Sequence, residues 1–174
     1  MKVLSIREPF ASLICRKKKF IETRSWKTNF RGEVYIHASK SNLTSEVLDR
    51  KELMSLVDIQ SMKYGYILCK ANLVDCIYMT HEFIENIKKN NYQEYICGEY
   101  KVGRYAWVLE DVTPLEVPIK ARGNLGFWDY YSEVDVLELM QDITYGWVSK
   151  DNKKRDIYED FAFDYVLQTP KELM

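Results

Sequence analysis

At 174 residues and 47% hydrophobic content the chain is long enough to bury one real core and too short for two. Its 25 basic and 26 acidic residues leave a net charge of -1, so no global field draws it to a polyanion or an anionic membrane, and any such binding must come from a local patch. Four cysteines without a CxxC pair and only two histidines argue against a zinc site, no GxGxxG suggests a dinucleotide, and no stretch approaches the ~20 apolar residues of a membrane span. The expectation is a cytoplasmic protein without metal or cofactor.

Val3, Leu4 and Ile6 read as an opening strand, turned by Arg7-Glu8-Pro9 into a helix that shares Phe10, Leu13 and Ile14 on one face. That helix is expected to end in Arg16-Lys17-Lys18-Lys19, where positive charge suits a helix C-terminus. From Phe20 to Trp26 the period becomes two. Phe20, Glu22, Arg24 and Trp26 then lie on one side of an extended segment, and Ile21, Thr23 and Ser25 on the other.

Val34 to Ala38 follows as a strand after the Arg31-Gly32 turn. Thr44 and Ser45 are candidate caps for one helix carrying Val47, Leu48, Met54 and Val57. Tyr66 to Cys76 alternates cleanly, with Ile67, Cys69, Ala71 and Leu73 on one face. Thr80 is read as the cap of a helix bearing Phe83, Ile84 and Ile87, broken by Asn90-Asn91. Arg104 to Val112 is a further strand, after which Pro114, Pro118 and Gly123-Asn124-Leu125-Gly126 divide the chain into short strands and loops, with Trp128 in a loop. Beyond Tyr131, Val134 to Met140 and Ile157 to Val166 look helical. This irregular order favours an α+β fold, a small partly open barrel flanked by helices, over a doubly wound sheet.

The opening block Leu4-Ser5-Ile6-Arg7-Glu8-Pro9-Phe10, followed by Lys19-Phe20-Ile21-Glu22-Thr23-Arg24, resembles the ASCH domain family. The likeness extends through Gly32 to Ser39, Ala71 to Cys76 and Tyr105 to Trp128, about the first 130 residues. Lys17 stands where the family usually carries glycine. The resemblance implies a PUA-like β-barrel flanked by helices, with residues 1-131 as the ASCH domain and residues 132-174 as a C-terminal helical extension packed on it. It also implies nucleic-acid binding, with one bacterial branch acting as an amidohydrolase on acetylated cytidine and others associated with ribonuclease activity or transcriptional coactivation.

Lys19, Glu22 and Arg24 are accordingly the candidate ligand-binding set, expected to line one solvent-accessible cleft with Trp26 or Trp128 at its rim. Arg24 offers a planar fork for phosphate or carbonyl oxygens, Lys19 a point charge, and an exposed indole a surface on which a base stacks. Arg16, Lys17, Lys18, Arg31, Lys120 and Arg122 are the candidate phosphate-contacting patch. The favoured function is binding of RNA, DNA or a modified nucleoside, and protein partners are undefined. In the alternative, hydrolysis of an acylated nucleobase such as N4-acetylcytidine, Lys19 and Glu22 are the catalytic candidates. The hydrolytic branch carries threonine where Glu22 stands, and alternation turns Thr23 to the opposite face. Glu82 and Glu85 are weighed as cleft carboxylates, and His37 as a structural strand residue.

Overall fold

The computed structural model describes residues 1–132, Asp135 and Leu137. The strands are β1 (Lys2–Ile6), β2 (Ile21–Arg24), β3 (Gly32–Ala38), β4 (Tyr66–Tyr78), β5 (Tyr105–Lys120) and β6 (Phe127–Asp129). The helices whose bounds are described are α1 (Phe10–Cys15), α2 (Ser45–Leu48), α3 (Lys51–Ser55), α4 (His81–Asn90) and α5 (Tyr92–Ile96). The strands form one mixed sheet in the order β2-β5-β4-β3-β1-β6, parallel between β1 and β3 and antiparallel elsewhere. Register shifts in the β3/β4 and β4/β5 pairs bend this sheet into a half-barrel, the α+β arrangement expected of a PUA-like domain.

The concave core is built from alternate residues of the strands, Leu4, Ile6, Val34, Ile36, Cys69, Ala71, Leu73, Trp107 and Leu109, closed by Ile14 of α1. Helix α4 packs Phe83, Ile84 and Ile87 against Ile21, Met79 and Ala106 on another side of the sheet. Its cap is the expected one, for the Thr80 hydroxyl accepts from the Phe83 N–H at 3.2 Å.

Several elements depart from the sequence reading for identifiable reasons. Helix α1 stops at Cys15, and the basic run forms the turn after it, because Lys17 adopts a left-handed φ of 58°. The single helix expected after Thr44 is two short helices and a 3-10 turn at Ile59–Ser61. Arg50, between the two, has a non-helical ψ and donates its guanidinium to the Ile96 and Gly98 carbonyls at the end of α5. Ile67 does not share the face of Cys69, Ala71 and Leu73 but packs with Val3 and Ala121. The cause is a bulge: while β4 advances from Ile67 to Cys69, its partner runs from Ile119 back to Pro114. That irregularity also accommodates Pro114 and Pro118 inside one long strand where separate short strands were expected. Of the helix expected at Val134 to Met140, Asp135 and Leu137 are described and helical; the rest of it, the helix expected at Ile157 to Val166 and the packing of the extension lie outside the described residues. Among the described residues no helix is long and apolar enough to cross a membrane.

Candidate functional site

Strand β2 carries the site at the edge of the sheet, pairing with β5 so that Glu22 lies opposite Trp107 and Arg24 opposite Tyr105. Its alternation holds. Ile21 packs with Met79 and Ala106, and the Thr23 hydroxyl on that other face accepts from the Glu99 N–H at 3.0 Å. Glu22 and Arg24 share the opposite face, with Arg24 Nε 3.0 Å from Glu22 Oε1. The N–H is not aimed at that oxygen, so the contact is an ion pair without a linear hydrogen bond. Arg24 Nη2 donates to the Ser5 carbonyl at 2.8 Å, which clamps the guanidinium to β1.

Lys19 is delivered by the turn centred on Lys17, in which the Lys18 and Lys19 N–H groups both reach the Leu13 carbonyl. Its side chain is only 1% exposed, so it does not face a solvent-accessible cleft as the sequence reading required. Nζ donates to the Ile21 carbonyl and stands 3.8 Å from both Glu22 Oε2 and Glu94 Oε1. The Phe10 ring covers it at 5.7 Å.

Glu94 is the residue that sequence reasoning missed. Its carboxylate, fully buried, accepts from Phe20 N–H at 2.6 Å, Ile21 N–H at 3.2 Å and the Tyr100 hydroxyl at 3.1 Å. Burial, and next the charge of Glu94, push the Tyr100 phenol far above its ordinary value, so it stays a donor. A signal was present: Asn91 and Glu94 have the spacing of a capping box, and Asn91 Oδ1 does accept from the Glu94 N–H at 3.2 Å. The Glu94 side chain reaches β2, a placement no local pattern encodes. Glu82 and Glu85, weighed as cleft carboxylates, are both exposed on α4.

Outward from this buried cluster the site becomes aromatic. The Arg24 guanidinium carbon lies 5.1 Å from the Trp26 ring centre and 5.7 Å from that of Trp107. Trp107 is fully buried, stacked on Phe127 at 5.3 Å, and meets Trp26 edge-on at 5.7 Å. Trp26 itself is 45% exposed. Trp128, expected in a loop at the rim, is in β6 opposite Val3 and packs in the cluster of Val3 and Ile67. Its indole N–H donates to the Ser5 hydroxyl at 3.0 Å, and its ring meets His37 edge-on at 5.6 Å.

The six residues of the expected basic patch do not converge. Arg16 donates to Ser61, and Lys18 to the Leu56 carbonyl at 2.9 Å. Arg31 binds the Thr28 and Phe30 carbonyls and pairs with Asp75 at 3.1 Å. Arg31 precedes β3, whereas Lys120 faces Tyr66, which in turn faces Ala38 at the far end of that strand, ~20 Å away at the rise of a β-strand. Lys17 and Arg122 are exposed. His37 is buried: its Nε2 lies 3.3 Å from the Ala121 carbonyl and its Nδ1 3.1 Å from the Ser5 hydroxyl.

A curved mixed sheet with a charge cluster at one edge strand and an arginine set against an exposed indole defines an α+β domain of half-barrel type. The chain belongs to the ASCH family: the ASCH domain model matches residues 4–119, two thirds of its length. Among solved structures it is similar to the crystal structure of ASCH from Zymomonas mobilis, at 16% identity over 80% of this chain and 93% of that one, with a TM-score of 0.47. A tyrosine-to-phenylalanine mutant of that Zymomonas mobilis protein matches at 15% identity over 80% and 96%, with a TM-score of 0.49. No curated protein matches the chain.

Proposed function

We propose that this chain binds single-stranded nucleic acid or a modified nucleoside on the surface made by Arg24 and Trp26. The observation that carries the reading is the placement of Arg24. Its Nε and Nη2 are held by Glu22 and the Ser5 carbonyl, no described residue engages Nη1, and the guanidinium lies beside a half-exposed indole. A planar donor fixed next to an aromatic face suits a base that stacks while its carbonyl or phosphate oxygen accepts from the fork. Membership of the ASCH family supports the same reading.

Two placements favour binding over hydrolysis of an acylated nucleobase. Glu22 stands where a hydroxyl nucleophile is required, and the hydroxyl of Thr23 is engaged by Glu99 on the opposite face. Lys19, the candidate base, is enclosed by Glu22, Glu94 and Phe10. With Lys18 and Arg31 bonded within the protein, binding is expected to engage about 1–2 phosphates by its salt dependence. The test is titration of tryptophan fluorescence with short RNA and DNA strands and with N4-acetylcytidine in low salt. Quenching that is lost in Trp26→Ala is expected, with no release of acetate. Absence of binding by all three ligands defeats the proposal, and acetate release that depends on Lys19 replaces it with the hydrolytic one.

A further inference from the structure

We propose that Cys15 and Cys69 form a peroxide-reactive thiol pair that closes to a disulfide, with Cys15 as the attacking sulfur and Cys69 as the resolving one. Cys15 is the last residue of α1, and Cys69 lies in β4 beneath it. Cys15 Sγ donates to the Leu68 carbonyl at 3.6 Å, the peptide that leads directly into Cys69. Cys69 lies in the buried core cluster of the sheet, and Cys15 packs against that same cluster. Neither is in a disulfide.

The two sulfurs are unlike in the ways such a pair requires. Cys15 is half-buried and within reach of a small oxidant, while Cys69 is fully buried and shielded from one. The neighbouring Cys69 thiol, with Arg16 assisting, holds the Cys15 thiol below its ordinary value against the opposing effect of burial. The neighbouring Cys15 thiol and burial push Cys69 up, and the difference in exposure makes Cys15 the sulfur that meets an oxidant first.

The chemistry balances with hydrogen peroxide as the oxidant. The Cys15 thiolate attacks one peroxide oxygen, the O–O bond breaks, and the departing hydroxide takes the proton that Cys15 released, giving a sulfenic acid and one water. Cys69 sulfur then attacks Cys15 sulfur; the S–O bond breaks, and hydroxide leaves as a second water with the Cys69 proton. Two thiols lose two electrons and peroxide gains them. The product bond ties the end of α1 to β4, immediately before the Lys17 turn that delivers Lys19.

Treatment of the full chain with dilute hydrogen peroxide is expected to lower its mass by about 2 Da, the loss of two hydrogens. Trypsin digestion without reductant should then yield residues 8–16 linked to residues 64–70, and no link involving Cys76 or Cys97. In Cys69→Ala the sulfenic acid persists on Cys15 and is trapped by dimedone; in Cys15→Ser the linked peptide is absent and Cys69 resists oxidation. Faster loss of Cys76 than of Cys15, or oxidation of Cys15 to sulfinic acid in the wild type without a linked peptide, overturns the proposal. If Cys69→Ala does not fold, the wild-type peptide map and Cys15→Ser decide it alone.

Discussion

Lys19 and Arg24 flank the same carboxylate, Glu22, and their situations differ completely. Lys19 is enclosed by two carboxylates, a carbonyl and a phenyl ring, with Glu94 also tying the backbone of Phe20 and Ile21. Arg24 is anchored on two sides and keeps one edge beside an exposed indole. The difference teaches that one charge motif can serve two purposes. Its inner half ties the edge strand to α5, and its outer half borders the exposed Trp26 ring. Buried charge is tolerated in the inner half because every partner is present, and removing one partner is far costlier than its net contribution.

The largest effect is therefore expected inside. Glu94→Ala strands two backbone N–H groups and a buried ammonium and should lower stability by roughly 3–5 kcal/mol, read by urea unfolding. Lys19→Met combined with Glu94→Gln should recover a good part of that loss, since no uncompensated charge remains. If Glu94→Ala unfolds at the wild-type midpoint, the tie to α5 contributes nothing.

Outside, the expectation reverses. Trp26→Ala should weaken nucleic-acid binding by ~1–3 kcal/mol, the usual contribution of stacking on one aromatic residue, while leaving the unfolding midpoint close to the wild type. Arg24→Lys keeps the charge but not the fork, and should lose affinity as well. A substitution at Trp26 that unfolds the protein without touching affinity in the folded fraction would erase the distinction between the halves.

Smaller effects follow from protonation. Burial holds His37 below its ordinary 6.5, so the unfolded chain takes up a proton first as the pH falls, and the stability this residue contributes above 6.5 is lost as the pH drops through the lowered folded value. Burial instead raises Glu8 above its ordinary 4.5; the folded state then holds the extra proton, and its contribution is full below 4.5 and lost as the pH rises through the raised value. As the pH falls from 7 to 5 the two therefore oppose, the His37 contribution declining while that of Glu8 grows, and the unfolding free energy of His37→Gln should rise relative to the wild type toward pH 5. The smallest expected change is at Lys17, whose φ of 58° favours glycine: Lys17→Gly should stabilise the turn by about 0.5–1 kcal/mol, measured by thermal unfolding.

Much of this molecule was legible before its structure. Strand alternation assigned Glu22, Arg24 and Trp26 to one face and Thr23 to the other, the Thr80 cap marked the start of α4, and the departure from glycine at Lys17 falls on a residue with a left-handed backbone. These are short-range properties, set by backbone periodicity and by hydrogen bonds within a few residues. Tertiary structure alone decided that Glu94, 74 residues beyond Phe20, would close over Lys19. It also decided that a bulge would turn Ile67 away from Cys69, that Trp128 would leave the rim for the His37 side, and that Arg31 and Lys120 would stand at opposite ends of a strand. Each depends on which distant segment satisfies a buried polar group or fills a gap in the sheet, and no local pattern specifies its partner.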